Sequence, residues 1–177
     1  MTNQQVMTEE VEAAIARIIQ AHANIPLGRE LVLSVVPEVE SHVDIRLRSF
    51  THRDESAQTR LGQFWIKENL SGLLSTWEGR KRLIKLATSQ DFFGDQLSQD
   101  FFTLIDLRNA IMHGNGRITP LQAKSVKTYL DLRKRLHSGF NIHTNGMEIV
   151  FSRTDNARIA STAIGFLRKL DVEFLRS

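Results

Sequence analysis

The chain contains no cysteine among its 177 residues. A disulfide framework and a thiolate metal centre are therefore both excluded. It also lacks any uninterrupted apolar run near the roughly 18 residues that a membrane span requires, so no membrane association is expected. The polar start Met1-Thr2-Asn3-Gln4-Gln5 has neither the basic end nor the apolar run of a signal peptide, and the expected location is cytoplasmic. Internal repeats and low-complexity tracts are absent. His22, His42, His52, His137 and His143 are scattered without ligand spacing, there is no His-Glu-x-x-His pairing, and no clustered carboxylate set. No metal and no cofactor is expected.

What is present describes one domain, 1–177. A composition of 41% hydrophobic and 24% charged residues suits a soluble chain long enough to bury a core. The formal charge of +3 is mildly basic, which permits a nucleic-acid partner without demanding one.

Periodicity predicts a mainly α fold, a helical bundle with one small β-hairpin near the C-terminus. A first helix is expected from Thr8 to His22, with Thr8 as N-cap and Val11, Ile15, Ile18 and Ile19 buried. A second pattern, Leu27 to about Phe50, carries Leu31, Val35, Val39, Val43 and Leu47, and Pro37 should kink or divide it. Thr51 to Thr59 reads as an exposed loop. A helix from about Arg60 carries Ile66, Leu70, Leu73, Leu74 and Trp77, with Ser71-Gly72 as a weak or closely packed point and Gly79 as a break. The following Arg80-Lys81-Arg82-Leu83-Ile84-Lys85 reads as a solvated helix face. Thr119-Pro120-Leu121-Gln122 has the form of a capping box that starts a helix to about Leu136. Asn145-Gly146 marks a hairpin within Leu136 to Ser152, and Thr154 or Asp155 caps a last helix with Ile159, Ala163, Phe166, Leu167, Leu170 and Phe174 on its apolar face.

The chemistry concentrates in Gln96 to Gly116, QLSQDFFTLIDLRNAIMHGNG. On a helix, Leu97, Phe101, Leu104, Ile105, Ile111 and Met112 share one arc, and Arg108 falls near its middle. A guanidinium there must be paired or must face a cavity or partner surface, because an uncompensated buried charge costs several kcal/mol, about 3 or more. Glu38, Glu40 and Asp44 are candidate partners for it, and nothing in the residues selects among them. A second stripe, Phe102, Asp106, Asn109 and His113, runs beside the arc, with Asn109 and His113 one turn apart. Gly114-Asn115-Gly116 should end the helix through a left-handed residue. His113 can move a proton near neutral pH, and Arg108 offers a fork of donors matched to phosphate oxygens. The plainer reading makes Arg108 a salt-bridge partner of Glu40 or Asp44, and His113 a helix cap.

Arg108, Asn109, three further positions and His113 near a helix end resemble the signature of the HEPN superfamily. The resemblance extends most closely to the RiboL-PSP-HEPN group, through the Trp77 helix before the motif and the hairpin and closing helix after it. It implies a single HEPN-like domain and a metal-independent endoribonuclease. In that reading the RNA 2′-OH attacks the adjacent phosphate, Arg108, Asn109 and His113 are the catalytic residues, and a 2′,3′-cyclic phosphate is left. It further implies a homodimer with the site at the interface, a toxin-like or phage-defence role, and a partner protein that restrains the activity. Lys124, Lys127, Lys134 and Arg135 fall on one side of the helix expected after Thr119 and are the RNA-binding candidates, since the chain places them directly after His113. The alternative from a different class is a non-catalytic module of the same fold that binds RNA or a nucleotide, or serves dimerisation.

Overall fold

Hydroxyl and carboxylate side chains start most of the helices. The computed structural model describes residues 7–88, 92–151 and 154–176, with the side chains of 56, 57 and 176 set aside. These form α1 (Glu9–Asn24), α2 (Gly28–Arg53), α3 (Arg60–Leu74), α4 (Trp77–Ala87), α5 (Gln96–Gly114), α6 (Val126–Phe140), the strands β1 (His143–Asn145) and β2 (Glu148–Val150), and α7 (Asn156–Arg176). The mainly α bundle with one C-terminal hairpin is thus the observed class. Thr59, Thr76, Asp95 and Ser125 each accept a backbone N–H from the first turn of the helix they precede, a contribution of about 1 kcal/mol apiece. Thr8 is the exception. Its backbone N–H and its hydroxyl both donate to the fully buried carboxylate of Asp171 on α7, at 2.9 Å each, so the residue ties the two ends of the described chain together and caps nothing with its side chain.

The core has two seams. α1, α2 and α7 pack on one another, and α5 packs against α2, α6 and α7, which makes α5 the helix shared between the seams. Phe101, Leu104, Leu107 and Ala110 of α5 are at most 1% exposed. Around its N-terminal half, Phe101 stacks on Phe166 at 4.1 Å and 16°, and Trp77 meets Phe101, Phe102 and Phe166 edge-on. The helix that carries the motif is therefore held along its length.

Several expectations need correcting. Pro37 neither divides nor ends α2, which runs unbroken for 26 residues. The ring lies on the exposed side, where water can satisfy the carbonyl it leaves unpaired, while Val35, Val36, Val39 and Val43 are fully buried and pack the helix on both sides of it. Thr51 to Thr59 is not a loop throughout: α2 continues to Arg53, and a short 3-10 turn follows at Glu55–Gln58. The break after α3 falls at Ser75-Thr76, not at Gly79, because the Thr76 hydroxyl accepts the Gly79 N–H at 3.1 Å and begins α4 with Trp77. Gly79 is instead a close approach, where any side chain would run into the Leu73 carbonyl, whereas Gly72 borders open space. Ile19 is 55% and Met112 also 55% exposed, so neither belongs to the core.

The box at Thr119 forms but leads to no helix. Gln122 Oε1 accepts the Thr119 N–H at 3.0 Å, and its amide nitrogen donates to the Asp106 carbonyl at 2.6 Å, which fastens the turn to α5. α6 starts six residues later than Pro120, at a second box made by Ser125 and Thr128. The hairpin pairs His143 with Val150, Thr144 with Ile149 and Asn145 with Glu148. It is shorter than Leu136 to Ser152, since Phe140 still belongs to α6. Asp155 makes the α7 cap by accepting the Arg158 N–H at 2.8 Å. Met1 to Gln5, the middle of the connection before Asp95 and Ser152 lie outside the described residues.

Candidate active site

The C-terminal turn of α5 is closed by two left-handed residues and clasped by the hairpin. Asn115, with φ 50°, is the C-cap, and Gly116 follows with φ 83°. The N–H groups of both reach back to the Ala110 carbonyl, the double closure expected when a helix ends in αL. The next residues join the ribbon: Ile118 donates to the Met147 carbonyl at 2.8 Å, and Ile149 donates to the Gly116 carbonyl at 2.9 Å. The Tyr129 hydroxyl of α6 donates to the Gly146 carbonyl at 2.6 Å and closes the frame. The backbone that presents His113 is thus pinned on the helix, the loop and the hairpin sides.

Within this frame Arg108 is half-buried and has no carboxylate partner among the described residues. Its one hydrogen bond runs from Nη1 to Asn109 Oδ1 at 3.2 Å. The three expected partners are engaged elsewhere. Asp44 takes the Arg80 guanidinium in a two-pronged pair at 2.7 and 3.0 Å, Glu40 accepts the Trp77 indole N–H at 2.7 Å, and Glu38 pairs with Arg17 at 2.7 Å. The salt-bridge account of Arg108 with Glu40 or Asp44 is therefore overturned. By the same geometry, the reading of Arg80 as part of a solvated face is corrected: it is buried, and its guanidinium lies 5.3 Å from the Trp77 ring. An arginine with bidentate and stacking partners can be buried at tolerable cost. Arg108 has neither.

Asn109 is half-buried and His113 is exposed; neither side chain makes a further hydrogen bond among the described residues. All three motif residues are at least partly open to solvent on the last turns of α5, and the bond from Arg108 to Asn109 is the one hydrogen bond between their side chains. Beside them, Asp106 on the same stripe is bound by Arg135 at 3.0 Å, and Arg135 also donates to the Thr103 hydroxyl. Burial pushes the Asp106 carboxyl above its ordinary range, against the pull of Arg135. Across from it, Lys81 lies 3.7 Å from the Phe102 ring centre, and burial pushes its ammonium below its ordinary value. Asp106 and Arg135 border a groove of about 370 Å³ with Gln122, Thr128, Asp131 and Leu132.

The four RNA-binding candidates do not form one face. Lys127 and Lys134 are exposed on α6, Lys124 is exposed in the turn before Ser125, and Arg135 points back to α5 and spends its charge on Asp106. No family model matches this chain, and no curated protein or solved structure matches it either. The geometry alone carries the functional argument. Among the described residues no three His, Asp or Glu side chains gather as a metal site, and no helix is long and apolar enough to cross a membrane.

Sequence reasoning missed the partners that make the site legible. Nothing in the spacing of Arg80 and Asp44, 36 residues apart, announces their pairing, and the same holds for Arg135 and Asp106. It also separated His137 from His143, which the fold brings to 4.6 Å between ring centres. A signal for that contact exists: a helix end at Asn141 leaves only two residues before the first strand residue.

Proposed function

We propose that Arg108, Asn109 and His113 are the catalytic residues of a metal-independent endoribonuclease of HEPN type. The observation that carries this reading is the half-buried guanidinium of Arg108, which has a neutral amide for its partner while every carboxylate expected to neutralise it is bound elsewhere. A cation so placed is stabilised by an anion that arrives from outside, and a phosphodiester fits its fork of donors.

In the reaction, the ribose 2′-oxygen attacks the adjacent phosphorus as a base takes its proton. The bond from phosphorus to the 5′-oxygen breaks, and an acid protonates that oxygen. The products are a 2′,3′-cyclic phosphate and a 5′-hydroxyl. Arg108 stabilises the charge that builds on the phosphoryl oxygens, and the Asn109 amide nitrogen adds a neutral donor. One imidazole cannot serve as base and acid in the same step. A symmetric homodimer supplies the second, with two His113 side chains across one cleft and two Arg108 side chains lining it. The exposure of His113 in the single chain is in keeping with that assembly. A toxin-like or phage-defence role restrained by a partner protein belongs to the same reading.

The test is direct. Purified protein is incubated with labelled total RNA in excess chelator, beside His113→Ala, and the solution mass is measured at micromolar concentration. Cleavage that depends on His113 and leaves cyclic phosphate ends, from a dimer, is the expected result. Cleavage unchanged in His113→Ala contradicts it, and RNA binding without cleavage supports the non-catalytic module instead.

A further inference from the structure

A second group of basic side chains gathers on α6, away from the motif. At about 100° per residue, Thr128, Asp131, Leu132 and Arg135 face the Asp106 groove, whereas Leu130, Arg133, Lys134 and His137 lie on roughly the opposite flank. The buried residues Leu136 and Phe140 run between the two flanks. Along the second flank β1 brings His143 against His137, the rings edge-on at 4.6 Å and 71°. Together with Ile142 and Thr144 these residues line a cavity of about 410 Å³.

The placement is rigid. Asn141 makes the sharp turn with φ 52°, Ile142 is fully buried directly before His143, and Ile142 donates to the Leu136 carbonyl at 3.1 Å. The Tyr129 hydroxyl bond to Gly146 braces the hairpin on the same helix.

The charge of this cavity is one-sided. Arg133 and Lys134 form no ion pair among the described residues, and no carboxylate lines the space. Arg133 lies 5.4 Å from the Tyr129 ring, a contact that leaves its N–H donors uncommitted. The Thr144 hydroxyl is closed off from water and also finds no hydrogen-bond partner. Two imidazoles could suggest a metal, but two permanent cations beside them would repel one, and two ligands fall short of the usual three or four. An anion reverses that sign. A tetrahedral oxyanion takes donors from several directions at once, as arginine, lysine and imidazole N–H groups would supply them.

We propose that the cavity between α6 and β1 binds a phosphate group, at a site separate from Arg108, Asn109 and His113. The inference does not rest on ribonuclease activity, since it uses none of those residues. The phosphate can be a monoester, free or at an RNA end, or a diester within a strand.

Histidine ring resonances of the intact chain, titrated with inorganic phosphate at one fixed pH, test this. The His137 and His143 signals should move together and saturably, while Lys134→Gln weakens the binding about ten-fold and Lys67→Gln, on exposed α3, leaves it unchanged. Matched oligonucleotides with and without a 5′-phosphate then name the source. Tighter binding of the phosphorylated one identifies a monoester site, and equal binding identifies a diester site. No movement of either signal with any of these probes overturns the proposal, as does movement that Lys134→Gln does not weaken. The His113 signal is read in the same spectra, so failure here is distinct from failure of the catalytic reading.

Discussion

Two arginines sit on helices that pack around the same aromatic cluster, and their surroundings are opposite. Arg80 is buried, gripped by Asp44 through two hydrogen bonds, within 3.9 Å of Glu40, and set against Trp77. Arg108 is half-buried, and its one hydrogen bond among the described residues goes to the amide oxygen of its neighbour Asn109. The first holds α4 to α2 and is complete within one chain. The second is incomplete. The contrast teaches that a cation set in an apolar seam is not informative by itself; what distinguishes structure from function is whether the fold supplies its counter-charge.

The sharpest way to break the comparison is at the motif. His113→Ala should lower the rate of RNA cleavage about a thousand-fold or more, as expected for loss of a proton-transfer group, with the melting temperature unchanged because the ring is exposed and makes no bond among the described residues. Single-turnover cleavage in chelator measures it. Next in size is Arg80→Ala, which strands Asp44 and Glu40 in a partly buried site. It should cost about 3 kcal/mol of stability in urea denaturation, somewhat less if the exposed edges of the two carboxylates admit water.

How far these roles were legible beforehand differs between the two arginines. The position of Arg108 on an apolar arc follows from spacing alone, as do Asn109 and His113 on the next stripe. Its freedom does not, because that depends on where Glu40 and Asp44 are spent, and long-range pairing leaves no periodic trace. Helix type and most apolar faces were readable for the same local reason. Pro37 does not divide α2, because it stands on the exposed side, where water can take the carbonyl it leaves unpaired while the buried valines keep their packing. The end of α3 misled: Gly79 signals a break, yet the Thr76 hydroxyl makes one three residues earlier and uses the glycine for close packing. The four basic candidates share one side only on a helix that begins at Thr119, whereas α6 begins at Val126, leaves Lys124 in the turn before it and turns Arg135 inward to Asp106.

A smaller effect sharpens the structural side. His42 is buried on α2, and desolvation pushes its imidazole below the ordinary value, with the attraction of Asp171 offsetting only part of that. The unfolded chain therefore binds the extra proton first. Stability contributed by His42 is fully present above about pH 6.5 and is lost as pH falls toward its folded value, with a slope of at most about 1.4 kcal/mol per pH unit. Urea midpoints between pH 7.5 and pH 5 should fall, and His42→Gln should flatten the curve. Smallest is Arg135→Ala. That side chain is 40% exposed, and its pair with Asp106 should contribute about 1 kcal/mol or less, read as a shift of a few degrees in melting.

The central claim is that Arg108, without a carboxylate partner among the described residues, meets its counter-charge outside the chain. Arg108→Ala, followed in parallel by thermal melting and by cleavage of labelled RNA in chelator, tests it most directly. The account predicts a melting temperature unchanged or slightly raised, with cleavage lost. A large drop in melting temperature with cleavage retained would contradict it.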